Sequence, residues 1–479
     1  MQYRQFGTTG KNVSLIGVGT VRFSPDQSLF SSNVDIILHA MEIGVNYFDT
    51  ASTYVSGISD SILGTAFRQI PNNKFYVSTK SMISRDPTAD SVLRRVEAAL
   101  KVLHVERITF FHMWNVLNLE QYKKIIAPGG PYEGAVRAKE QGLIDHICFS
   151  AHCDGNEISQ ILDDNLFDGV TLGYNAINYR HRLAGLQKAA KKGLGTAVMN
   201  PLGGGLIPSN PAFFNYLRIR DRSVAESAVQ FVAAHQEVST ILIGVNSMHD
   251  LTEAVEVIEK EQCLSAAQWR ERASLSPGVE EPLCTMCGYC DGCPADLRVD
   301  KIMGVYNELI LSGGNKARFN EHKGMFLDKS TIDKIPCVKC GKCESKCTQH
   351  LPIIERIKKI NALADAEEKR LKALIAQYFP EDGYLKTGVY GLSIEANALL
   401  CAYLSFYGSL PDNVCFFDTK SAKWGTSVLG TGHKILPPSQ IRETGVKRIL
   451  ITAPKYVEEI KRFLKDYIDE DTVIETFFR

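Results

Sequence analysis

The stretch 75-FYVSTKSMISRDPTADSVLRRVEAALKVLHVERITFFHMW-114 decides the fold. It opens on a short apolar run, 75-FYVSTK-80, passes through a polar-faced helical segment, 90-DSVLRRVEAALKVLH-104, and closes on a second run, 108-ITFFHMW-114. Neither run alternates cleanly between apolar and polar residues, the pattern of strands buried on both faces of a parallel sheet. The unit recurs from residue 14 to about 260. The further runs are 14-SLIGVGT-20, 46-NYFDTA-51, 146-HICFSAH-152, 169-GVTLGYN-175, 195-GTAVMNP-201 and 240-TILIGVN-246, with helical candidates such as 248-MHDLTEAVEVIEK-260 between them. Asp90 and Asp250 are the expected N-caps. Eight βα units in about 250 residues predict a (β/α)8 TIM barrel over 1–275, with its active face at the C-terminal ends of the strands. An open doubly wound sheet is the competing architecture, but eight units exceed its usual number.

Eight of the thirteen cysteines fall in two tight runs past the barrel. The first is Cys284, Cys287, Cys290 and Cys293, followed by Pro294; the second is Cys337, Cys340, Cys343 and Cys347. Three cysteines spaced two residues apart let one loop wrap an iron–sulfide cube with three thiolates, and a fourth, more distant one completes it. Paired C-x2-C is also a zinc signature, although zinc takes four ligands per site, usually as two pairs. The runs resemble those of bacterial two-cluster ferredoxins. That resemblance implies two [4Fe–4S] clusters with crossed fourth ligands. One would use Cys284, Cys287, Cys290 and Cys347, the other Cys337, Cys340, Cys343 and Cys293. Two departures stand out: the first run ends C-x2-C-P instead of C-x3-C-P, and Thr348 stands where a second proline is expected.

A chain of 479 residues exceeds one compact core, and about three domains are expected. Ser-Pro-Gly-Val-Glu-Glu-Pro-Leu at 276–283 marks the first boundary, and a two-cluster ferredoxin-like α-helical region is expected over 276–363, with a helix at 302–312 between the runs. Residues 364–384 read as a linker carrying the charged helix 364–378. Over 385–479, strands at 387–391, 413–418 and 447–453 alternate with helices at 394–408 and 455–468, the pattern of a small Rossmann-like α/β domain. Asp418 ends its second strand, where an acid can take a ribose hydroxyl. Lys+Arg and Asp+Glu are both 54, so nothing advertises nucleic acid or an anionic membrane as partner. No apolar run approaches the roughly 20 residues that span a bilayer, and the N-terminus lacks a signal peptide's apolar stretch. Thiolate clusters require a reducing compartment, so a cytoplasmic location is expected; Cys148, Cys153, Cys263, Cys401 and Cys415 read as packing residues.

The barrel runs end in polar groups. Asp49 ends the second, Tyr54 follows in its loop, Lys80 ends the third and the fourth carries His112. A lysine at a buried strand end needs a carboxylate, and Asp49 on the neighbouring strand is the expected partner. An ammonium beside Tyr54 is expected to lower its pKa from about 10 and make it a proton donor near neutral pH. His112, neutral at pH 7, can hydrogen-bond a substrate carbonyl.

The segments 44-GVNYFDTASTY-54, 74-KFYVSTK-80, 106-ERITFFH-112, 196-TAVMNPLGGGLI-207 and 244-GVNSMHDLTEAV-255 resemble the aldo/keto reductase family over residues 1 to 275. With the segments 147-ICFSAHCD-154, 284-CTMCGYCDGCP-294 and 337-CVKCGKCESKC-347, the chain is similar to that family's iron–sulfur branch. The resemblance implies hydride transfer between a nicotinamide and a carbonyl carbon, with Asp49, Tyr54, Lys80 and His112 as catalytic tetrad and Tyr54 as general acid. It also implies that Ser150 and Asn175 hold the nicotinamide carboxamide, Pro201, Leu202 and Gly204 line the pyrophosphate, and Gly244, Val245 and Asn246 meet the adenosine phosphate. Asn246 stands where a basic residue often grips a 2′-phosphate, and Ala254 where an asparagine often meets the adenine, so NADPH and NADH are both candidates. Val55 occupies a position usually held by glycine. His152 is a second imidazole at the active face. Trp114, Asn115, Asn178 and Arg180 would suit a hydroxylated or sugar-like carbonyl. The clusters are expected to be structural or redox-sensing; the other version connects them to a ferredoxin-type electron carrier. A different class of function is an electron-transfer or assembly protein with a catalytically silent barrel.

Overall fold

A hairpin of Tyr3–Gln5 (β1) and Asn12–Ser14 (β2) leads into the first strand of a closed barrel, and Phe6 at its turn is fully buried among Tyr47, Phe110 and Cys148. The computed structural model describes residues 1–71, 74–276, 281–328, 331, 334–380 and 385–477. Residues 277–280 of the expected boundary and 381–384 of the expected linker lie outside them.

Each of the eight apolar runs coincides with one barrel strand, three of which extend beyond it: Ile16–Gly19 (β3), Tyr47–Asp49 (β4), Tyr76–Met82 (β5), Ile108–Val116 (β6), Ile144–Ala151 (β7), Gly169–Gly173 (β8), Gly195–Met199 (β9) and Thr240–Ile243 (β10). They are parallel and close in the order β10-β3-β4-β5-β6-β7-β8-β9, the predicted (β/α)8 barrel. Every residue of β3, β4, β8 and β10 is buried, which accounts for the missing alternation. The interior is packed to the backbone: a Cβ on Gly195 would lie 1.9 Å from the Phe6 ring. Two registers matter for the site. Asp49 lies opposite Ser78, and Lys80 opposite His112. β5 continues two residues past Lys80, so the lysine sits inside the strand, not at its end.

Both expected N-caps are displaced. Thr88 caps Ala89–Leu103, accepting from the Ser91 amide in a reciprocal capping box, and Ser247 caps Met248–Glu259, accepting from the Asp250 amide. Asp90 and Asp250 fall instead in the first turn, where an acid still complements the helix dipole.

Two compact units divide the chain, Met1–Ile357 and Lys358–Arg479. The first holds the barrel and both cysteine runs, with helices Val299–Leu311 and Lys316–Phe326 between the runs. Helix Ile353–Tyr378 begins eleven residues before the expected charged segment. The second unit has five parallel strands: Thr387–Tyr390 (β11), Val414–Phe417 (β12), Ile435–Leu436 (β13), Arg448–Ile451 (β14) and Val473–Thr476 (β15), in the order β13-β12-β11-β14-β15. Val389, Phe416 and Leu450 pack there with Leu399 and Leu400 of helix Ile394–Tyr407. Asp418, just past β12, is held by Lys423 at 2.6 Å and by the Lys420 amide at 2.9 Å. Among the described residues no helix is long and apolar enough to cross a membrane.

Candidate active site

Asp49, at the end of β4, points its Oδ2 at Lys80 Nζ, 2.6 Å away, while its Oδ1 accepts from Ser78 Oγ at 2.8 Å. Lys80 also donates to the Thr50 carbonyl at 2.9 Å and lies 4.8 Å from the centre of the Tyr54 ring. Burial works against the charge on Lys80, but Asp49 and Tyr54 outweigh it and its pKa is raised. The expectation for Tyr54 is corrected. Burial pushes the phenol up, the Lys80 ammonium only partly offsets this, and the net shift is upward. Tyr54 is therefore a neutral phenol at physiological pH, a donor held against a cation. Its loop carries strain: Val55 and Ser56 stand in the left-handed region at φ 53° and 55°. That is where glycine is at ease and a β-branched residue is not.

These groups floor a cleft of about 600 Å³ that opens at the C-terminal ends of the strands. Asp49, Tyr54, Lys80, Ser150, Pro201, Leu202, Gly204, Gly244 and Asn246 line it. Three expected residues do not. His112 is fully buried, with Nε2 2.9 Å from Thr171 Oγ1 and Nδ1 3.2 Å from Ser78 Oγ, so both ring nitrogens are engaged below the cleft. Burial, with Lys80 beside it, lowers its pKa to about 3; the expected neutrality holds, but the expected access to substrate does not. Asn175 spends its amide on the chain: Oδ1 accepts from the Ile177 and Asn178 amides and Nδ2 donates to the Asn200 carbonyl. Val245 is fully buried behind the cleft wall. Of the residues suggested for a hydroxylated substrate, only Trp114 lines the cleft, edge-on to Tyr54 with ring centres 5.5 Å apart.

Three lining residues take parts that were missed or left open. His152 just past β7, not His112, is the imidazole on the cleft wall, and burial lowers its pKa to about 3. Arg22 lies between Gly204 and Gly244, its Nη2 3.3 Å from the Gly204 carbonyl, and brings to this end the positive charge that Asn246 lacks. Tyr289, from the first cysteine run, closes the cleft beside His152. Ser150 Oγ is buried with no hydrogen-bond partner among the described residues, so it is open to a ligand's amide.

Residues 15–276 match the family model described as the aldo/keto reductase family, more than half of the chain. The chain belongs to the aldo/keto reductase family. It is thereby an oxidoreductase. It is similar to the L-galactose dehydrogenase of Arabidopsis thaliana, 24% identical over 314 residues that cover 59% of this chain and 95% of that one. It is also similar to the uncharacterized oxidoreductase YrpG of Bacillus subtilis (strain 168), 24% identical over 43% of this chain and 68% of that one. Among solved structures, the holo form of the aldo-keto reductase AKR11C1 from Bacillus halodurans shares the fold, with a TM-score of 0.51 and 20% identity over 57% of this chain and 96% of that one.

The aldo/keto reductase match ends before the cysteine runs. There, Cys284, Cys287, Cys290 and Cys347 line one small void. Cys337 and Cys343 lie near enough to interact electrostatically, whereas no described contact brings Cys293 to them. The two runs begin alike and then diverge, since Lys342–Ser345 of the second form a short helix where the first has a turn and loop. Met286 and Lys339, Gly288 and Gly341, and Asp296 and His350 all have positive φ at matching places. The amides of Met286 and Lys339 donate to Cys284 Sγ and Cys337 Sγ at 3.3 and 3.4 Å. Two buried arginines lie within reach of the cysteines that line the void. Arg182 has Nε and Nη1, and Arg356 has Nη1, without partners among the described residues. Cys287 lies within electrostatic range of Arg182, and Cys284 and Cys347 within that of Arg356. Among the described residues the only trio of ligating atoms within 4.8 Å of one another is Asp154, Glu157 and His350, so the thiols stand wider than the tetrahedron a zinc ion draws around itself at about 2.3 Å per bond.

Proposed function

We propose that this chain is an NAD(P)H-dependent reductase of a hydroxylated, sugar-like carbonyl, and that it carries two [4Fe–4S] clusters. What supports the chemistry is the Tyr54 phenol held over a Lys80 ammonium that Asp49 fixes at 2.6 Å. A reduced nicotinamide bound in the cleft supplies a hydride to the carbonyl carbon. Tyr54 gives its phenolic proton to the carbonyl oxygen, and the Lys80 ammonium stabilises the phenolate left behind. Asp49, buried beside Ser78, keeps Lys80 charged and in place. Ser150 offers its free hydroxyl to the carboxamide, and Arg22 offers its guanidinium to the phosphates. The sugar-like class is favoured by the similarity to a protein named for L-galactose.

For the first cluster, support comes from four cysteines around one void, amide donors to their sulfurs and two buried guanidinium groups with unspent donors, an environment built for an anion. The second set, Cys337, Cys340, Cys343 and Cys293, rests on the cysteine spacing and on the matched positive-φ positions of the two runs. When bound, such clusters supply single-electron capacity. Cys287 lines the cleft, which favours a second reading in which the first set passes electrons to a ferredoxin-type carrier. The unit Lys358–Arg479, with its all-parallel sheet, fits a Rossmann-like domain whose role is packing or partner docking, since Asp418 is already engaged.

The test uses anaerobically purified protein. About eight irons per chain, and NADPH or NADH oxidation on adding sugar aldehydes, are expected. Tyr54→Phe should abolish the oxidation and leave nucleotide binding intact. A wild-type protein that binds neither nucleotide would sink the reading. Cluster-free protein with full turnover would remove the electron-carrier version.

A further inference from the structure

The loop between Cys287 and Cys290 faces two ways. Cys284, Cys287, Tyr289 and Cys290 line the thiol void, and Cys287 and Tyr289 also line the barrel's cleft. Tyr289 Oη lies 3.0 Å from Nε2 of His152, and the two rings meet edge-on, 4.6 Å between centres. The His152 carbonyl accepts from Arg182 Nη2 at 2.7 Å, and the same nitrogen donates to the Thr348 carbonyl at 3.0 Å. Thr348 follows Cys347, so the chain just past β7 is held by both cysteine runs. On the same cleft stand Tyr54, Lys80 and Trp114. The barrel's other nearby imidazole, His112, has both nitrogens committed.

We propose that Tyr289, positioned by His152, hydrogen-bonds the substrate's carbonyl oxygen, so that the cysteine loop completes the barrel's active site. With its proton on Nε2, a neutral His152 donates to the Tyr289 oxygen and leaves the tyrosyl O–H to donate into the cleft. Tyr289 neither gives nor takes a proton overall. The hydride adds to the carbonyl carbon, Tyr54 protonates the oxygen, and the Tyr289 hydroxyl stabilises the charge growing there. The specificity of the barrel is then written partly in a segment outside it. The inference rests on carbonyl reduction at Tyr54.

Tyr289→Phe keeps the ring contact with His152 and removes only the hydroxyl. In anaerobic, cluster-loaded, full-length protein, kcat/KM for 4-nitrobenzaldehyde with NADPH should fall at least tenfold, with NADPH Kd, iron content and visible absorbance unchanged. His152→Gln should fall in the same direction, and the double variant should be no worse than the poorer single one, as for two groups acting as a unit. By calorimetry, 4-nitrobenzaldehyde should bind the NADP⁺ complex of Tyr289→Phe, which has no hydride to give, at least tenfold more weakly than that of wild type. Wild-type kcat/KM and wild-type aldehyde binding in Tyr289→Phe, or losses that simply multiply in the double variant, would overturn the proposal. Failure of the underlying reading shows separately, as a Tyr54→Phe protein that still reduces the aldehyde. The calorimetric comparison needs no turnover and decides Tyr289 on its own.

Discussion

Lys80 Nζ and Asp49 Oδ2 stand 2.6 Å apart with their side chains only 2% and 6% exposed, so each is the other's condition for being buried. Lys80→Met strands the Asp49 carboxylate in the barrel. It should cost about 3–5 kcal/mol of stability in urea unfolding. Pairing it with Asp49→Asn should recover most of that loss but none of the carbonyl reduction. A single variant as stable as wild type would contradict a buried, coupled pair.

The His112 imidazole is neutral in the fold, with its pKa lowered to about 3 by burial and by Lys80. The unfolded chain takes up a proton there near pH 6.5, and the folded chain does not. Stability is therefore fully present above about 6.5 and falls as pH drops toward 3, by about 1.4 kcal/mol per unit for such a group. His112→Gln should flatten the pH dependence of the urea midpoint between pH 7.5 and 5.5 relative to wild type. Parallel curves would mean that His112 titrates normally.

Arg22 is the cation beside Gly204 and Gly244, where the expected phosphate-gripping position holds Asn246. Arg22→Ala should raise the Kd for NADPH and NADH by about tenfold, the worth of one charge-assisted hydrogen bond, and weaken the salt dependence of binding. Because Arg22 is exposed, its thermal midpoint should barely move. Unchanged nucleotide fluorescence titrations would assign the grip elsewhere.

Cys347 lines the void with three cysteines of the other run. Cys347→Ser should lower the iron content from about eight to about four per chain. Cys401→Ser, in the second unit, should leave it unchanged. Equal losses in both variants would separate iron binding from the runs.

The barrel was legible because parallel strands buried on both faces leave continuous apolar runs, and all eight did. The pairing of Lys80 with Asp49 was legible for a related reason: a buried charge demands a counter-charge within reach. The choice between His112 and His152 was not, because it depends on Ser78 and Thr171, contributed by two other strands, which consume both nitrogens of the deeper ring. The fate of Asn175 was hidden in the same way by the turn it braces. The direction of the Tyr54 shift needed the magnitude of its burial, which neighbouring residue types do not reveal. Tyr289 was overlooked because its loop reads so strongly as a thiolate scaffold that a second office for it left no signal. The two-residue strand Ile435–Leu436 and the half-buried Val473–Thr476 were too short or too mixed to stand out.

Cys287 is exposed and borders the cleft as well as the thiol void. Oxygen or peroxide diffusing into an empty cleft meets that sulfur directly, whereas a ligand seated against Cys287 would cover it. If a cluster is held there and a nucleotide reaches that wall, the cluster's working life in air would follow how often the enzyme is loaded: an idle molecule would age, and a busy one would be sheltered.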